Sequence, residues 1–141
     1  MTRMMIATCR SGRSPFDVGQ RPLTRLETTM KYQLLIYRDP SEPPPPTEHQ
    51  AYIDYTRELA QAGVLLGGEA LEGVDTATTV SVRDGQTVTV DGPFAETKEV
   101  LAGFYVIEVG HLDDAIKWAA KVPTATHGRI EVRPVRPMPE P

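Results

Sequence analysis

The chain has 141 residues, of which 40% are apolar and 24% charged, and a formal net charge of −4. That length favours one domain, large enough to bury a core without a metal or disulfide staple. The acidic balance argues against broad binding to a nucleic-acid backbone, no apolar run approaches the roughly 18 residues of a membrane span, and the lone cysteine, Cys9, excludes an intrachain disulfide. Such sparing cysteine use fits a reducing compartment, so a cytoplasmic location is expected.

Charge is distributed unevenly. Residues 1–30 hold five Arg against Asp17 and Glu27, a net of +3, and the remainder carries −7. This first stretch mixes Arg, Ser, Thr, Gly and Pro without a sustained period of 2 or 3.6, and it lacks the apolar core of a secretory signal. It reads as a disordered N-terminal extension, with the ordered-looking part opening at Met30 and Lys31.

Lys31 to Arg38 is short, rich in β-formers and stopped by Asp39-Pro40, which predicts a buried strand. Pro43 to Pro46 form a stiff polyproline spacer. Thr47 and Gln50 have capping-box spacing, and the helix they open is expected to run to about Ala62, with Tyr52, Tyr55, Leu59 and Ala62 on one face and Gly63 as its stop. Val64 to Glu69 reads as a second strand whose paired glycines, Gly67 and Gly68, suggest a bulge or a close backbone approach.

A hairpin follows. Thr78, Val80 and Val82 alternate, Asp84-Gly85 supplies a two-residue turn, and Val88 and Val90 alternate back. The segment Asp91-Gly92-Pro93-Phe94-Ala95-Glu96-Thr97-Lys98-Glu99 then packs a tight turn and several charges into nine residues. Gly103 to Val109 is another strand. Gly110 or His111 opens a second helix whose Leu112, Ala115, Ile116, Ala119 and Ala120 fall on one apolar face, with Asp113 and Asp114 in its first turn. Arg129 to Val135 is the last strand, and the proline-rich tail after it cannot continue a sheet.

The order is β-α-β, hairpin, β-α-β. It predicts an α+β protein: two βαβ units around one sheet, the ferredoxin-like arrangement, with both helices on one sheet face. The strands at 31–38 and 103–109 read as apolar on both faces. A second, uncovered apolar face calls for a partner, and the expected solution is a homodimer with sheets packed face to face.

Four blocks in this order resemble the YCII-related family, and the Asp91 to Glu99 run resembles the signature of its DGPF group. The other three are Lys31 to Tyr37, Ala62 to Leu71, and Gly128 to Pro134. The resemblance spans residues 31–135 and implies a dimeric α/β barrel of ferredoxin-like protomers. Some family members carry a His on the first helix and an Asp before a Pro after the second. Those positions fall near Tyr52 and at Val122 here, so that pair is not matched and its chemistry is not carried over. The resemblance also links some DGPF proteins to extracytoplasmic-function sigma factors.

Candidate chemistry centres on the hairpin exit. Neighbouring carboxylates can act as acid or base near neutrality, which nominates Asp91 and Glu96, with His127 as a third titratable group beside Gly128. Glu69, next to two glycines, together with Lys98 and Arg133, is the candidate set for holding a ligand. The three His are far apart and have no Cys partners, so no metal site is expected, and no dinucleotide, phosphate-loop or hydrolase motif calls for a cofactor. Three readings stand: a homodimer binding a small organic molecule near Asp91–Glu99, a cofactor-free acid–base enzyme, and an interaction module linked to sigma-factor regulation.

Overall fold

The computed structural model describes residues 28–139. Cys9 and nearly all of the basic N-terminal segment lie outside the described residues. The elements in chain order are β1 (Met30–Arg38), α1 (Glu48–Gln61), β2 (Leu65–Ala70), a 3₁₀ turn (Val74–Thr76), β3 (Thr78–Arg83), β4 (Gln86–Asp91), β5 (Val100–Val109), α2 (Leu112–Ala120), a second 3₁₀ turn (Pro123–Thr126) and β6 (Arg129–Pro134).

Four strands form one antiparallel sheet in the order β2-β5-β1-β6, and β3 and β4 form a separate two-stranded ribbon. Each helix links two strands that are separated by a third, so the two βαβ units interleave. The result is an α+β architecture compatible with a ferredoxin-like fold.

Alternation along β1 sorts the two sheet faces. Tyr32, Leu34 and Ile36 turn toward the helices and join Tyr55 and Leu59 of α1, Ile107 and Val109 of β5, Ala115 and Ala119 of α2, and Val122 in the main core. Each of the large aliphatic side chains buried there contributes about 1.5–3 kcal/mol. Trp118 packs edge-on against Tyr55, with centroids 6.3 Å apart, and Tyr55 donates a 2.8 Å hydrogen bond to the Trp118 carbonyl. Both helices are thereby fixed to the same side of the sheet.

On the opposite side, Leu35 and Tyr37 of β1 lie beside Phe104 and Leu101 of β5. Val106 extends this strip, and β6 borders it with Arg129, Glu131 and Arg133. This face, uncovered among the described residues, is thus apolar at its centre and charged along β6. Leu35 is 9% exposed even without a partner.

Two details of the helices depart from expectation. Thr47 has helical backbone angles and its side chain makes no capping bond, because a capping side chain requires an extended N-cap residue. Gln50 instead donates to Asp54 at 3.0 Å. In α2 the buried stripe is Ala115 and Ala119, while Leu112 and Ile116 stay about half exposed, since the bulky Trp118 turns its own side of the helix toward the core. Gly63, at φ +76°, closes α1 as expected. Asp84 and Gly85, both with positive φ, form the hairpin turn. The bulge anticipated at the paired glycines appears as a register shift between Leu65 and Gly67.

Candidate functional site

Under α1 the sheet is open. A cleft of about 910 Å³ lies between the N-terminal half of α1, the prolines Pro44 to Pro46, and the β2–β5 side of the sheet. Its apolar wall includes Ile36 and Ile53, and its polar groups include Arg38, Glu48, Tyr52, Thr56, Tyr105 and Thr124. That volume lies within the roughly 300–1,000 Å³ range of small-molecule sites, and a mostly apolar wall with a few placed polar groups is their usual character.

Local structure places each polar group. Arg38 ends β1 on the helix side, and the proline spacer brings the chain back so that Glu48 opens α1 directly opposite. Arg38 Nη1 donates to Glu48 Oε2 at 2.8 Å, and its Nη2 donates to the Glu42 carbonyl at 3.3 Å. The two side chains retain only 16% and 12% exposure. From the other direction His127 Nε2 comes within 3.2 Å of Glu48 Oε1, although neither of these buried atoms has an aligned hydrogen-bond partner. One carboxylate therefore lies between a guanidinium and an imidazole. Gly128 permits this approach: a Cβ there would meet the Tyr37 carbonyl oxygen at 2.3 Å, so only glycine lets β6 start so close to β1.

Deeper in the cleft are two hydroxyl pairs. Tyr52 Oη and Thr124 Oγ1 are 2.6 Å apart, and Thr56 Oγ1 and Tyr105 Oη are 2.7 Å apart; either oxygen of each pair can donate. Burial is the largest influence on both tyrosines and raises their pKa values above the ordinary phenol range. Tyr52 lies near the position at which the resemblance would place a histidine. Val122, at the corresponding Asp position, is a core residue with 1% exposure.

The candidates named from sequence are scattered. His127 joins the Arg38–Glu48 cluster. Glu69 borders the cleft, but it pairs in register with Phe104, so alternation turns its side chain to the opposite sheet face. Asp91 ends β4 and is exposed, as are Glu96 and Lys98, and no residue of 91–99 lines the cleft. This segment instead approaches the end of the sheet where Arg38 lies. Asp39 carries a lowered pKa, caused first by hydrogen bonds from Ser41 and, as a smaller influence, by the nearby Lys98 charge. Glu99 faces Arg129 at 3.8 Å. Arg133 is exposed on β6, opposite Gln33 on the uncovered face. Sequence reading missed Arg38, Glu48, Thr56, Tyr105 and Thr124. Their one advance signal is the placement of an Arg at a strand end and a Glu at the next helix start.

Among the described residues, no group of three or more His, Cys, Asp or Glu could hold a metal ion, and no helix is long and apolar enough to cross a membrane.

An antiparallel four-stranded sheet, two helices on one face and a cleft beneath the first helix define the class of protein. The chain belongs to the YCII-related domain family, which it matches over residues 30–139. It is also similar to an uncharacterised protein of Rhizobium meliloti (strain 1021), with 41% identity over 81 residues. That alignment covers 56% of this chain and 65% of the relative's own length.

Proposed function

We propose that this YCII-related protein is a homodimer that binds a small organic molecule in the cleft beneath α1. The cleft itself carries the reading: about 910 Å³ of largely apolar space, with an ion-paired arginine, a carboxylate and two tyrosine hydroxyls at fixed positions. Holding these groups in place before a ligand arrives lowers the entropy cost of binding.

The homodimer is supported by what one protomer leaves uncovered. Among the described residues, no helix lies over the strip of Leu35, Tyr37, Leu101, Phe104 and Val106. Phe94 projects from the Asp91–Glu99 segment with 90% exposure. Packing two sheets face to face would bury the strip as the centre of an interface, with Arg129, Glu131 and Arg133 at its rim. The Asp91–Glu99 segment, which ends beside Arg38 and Arg129, lies near the ligand site without lining it.

Native mass spectrometry of the untagged protein purified from its own host tests both parts. The expected spectrum is a dimer carrying an additional small mass. A bare monomer would overturn the proposal.

A further inference from the structure

The charges and hydroxyls of the cleft specify more than its volume does. Arg38 is the strongest cation on the lining, and it is already engaged, with one nitrogen on Glu48 and another on the Glu42 carbonyl. Glu48 in turn lies between Arg38 and His127. An incoming carboxylate or phosphate would have to shed its water without a free guanidinium to receive it, or displace Glu48 and leave that carboxylate buried without its partner; both are costly.

The remaining polar groups suit a different ligand. Each tyrosine–threonine pair has two hydroxyl protons and uses one within the pair. Each pair therefore keeps one O–H to donate and lone pairs to accept, on oxygens embedded in apolar wall. We infer that the cleft selects an uncharged ring compound bearing hydroxyl or carbonyl oxygen, of the phenol or cyclic ketone class, and discriminates against carboxylates of the same shape. This inference rests on the small-molecule reading above.

The test is a ¹H–¹⁵N NMR titration of the full chain with three probes of matched shape: 4-ethylphenol, 4-ethylbenzoate and 4-ethylbenzylamine. Amides at Thr56, Gly68 and Gly103 report on the cleft. The phenol is expected to bind about tenfold or more tightly than the benzoate, the equivalent of one lost charge-assisted contact. Glu48→Gln, which frees Arg38, is expected to raise benzoate affinity about tenfold. Tyr105→Phe, a milder change, is expected to weaken the phenol about fivefold and leave the benzoate unchanged. Benzoate or amine binding in the wild-type cleft as tightly as the phenol overturns this inference and leaves the small-molecule reading standing. If no probe shifts any cleft amide, both fall.

Discussion

Replacing Glu48 with Gln removes the charge that holds Arg38 in place, and the structure sets the size of the effect. A fully exposed ion pair contributes about 0–1 kcal/mol, and breaking a fully buried one costs about 3–5 kcal/mol. The Arg38 and Glu48 side chains, 16% and 12% exposed, lie between these limits. A loss of about 2 kcal/mol is expected for Glu48→Gln, and a similar loss for Arg38→Met. The double variant should lose much less than the sum, with a coupling energy of about 1.5 kcal/mol. Urea unfolding followed by tryptophan fluorescence measures all four corners of the cycle. Trp118, the one tryptophan of the sequence, packs on Tyr55 and so reports whether α1 and α2 remain docked. Additive losses, with coupling below about 0.5 kcal/mol, would refute the reasoning, because the pair would then behave like an exposed one.

Three further outcomes follow from the same structure. Burial raises the pKa values of Tyr52, Tyr55 and Tyr105, so the folded protein keeps protons that the unfolded chain releases near pH ~10; stability should be intact below that pH and fall as it is exceeded, which thermal melts across the alkaline range would show. Gly128→Ala should destabilise the fold by more than about 2 kcal/mol in urea, since the new methyl group would overlap the Tyr37 carbonyl and the Thr124 side chain. Asp91→Asn and Glu96→Gln, both at exposed positions, should each change unfolding free energy by less than about 0.5 kcal/mol; a larger loss would mean that the segment serves the fold.

The sheet was legible because its signals are local. A run of β-formers ended by Asp39-Pro40, a turn at Asp84-Gly85 and a stop at Gly63 each act within a few residues, and their order alone gives the interleaved βαβ units. The site was not legible in the same way. Arg38, Glu48 and His127 come from a strand end, a helix start and a 3₁₀ turn, and they meet only once the sheet has formed. No spacing in the sequence encodes that meeting. Thr47 shows a related limit: the residue type favoured a cap, but the chain leaving the prolines enters the helix with Thr47 already in helical geometry. The Asp91–Glu99 run attracted attention through its density of charge, whereas burial and preorganisation belong to residues that look ordinary in sequence.

The register shift where β5 passes Ile36 and Tyr37 of β1 has an evolutionary consequence. Ala102 is the surplus residue there: Gly103 pairs with Ile36, and Leu101, not Ala102, pairs with Tyr37. Everything before Ala102 on β5 is thereby put out of phase with everything after it. Deleting this one alanine would close the bulge into regular alternation and leave Leu101 opposite Tyr37 and Val100 opposite Arg38, whereas losing one residue from the regular run between Gly103 and Val109 would exchange the faces of every side chain on one side of the loss. The β3–β4 ribbon, paired only with itself among the described residues, can gain or lose residues in twos without disturbing that parity. Length variation among relatives should therefore accumulate in the ribbon and at Ala102, and be nearly absent in the regular run from Gly103 to Val109.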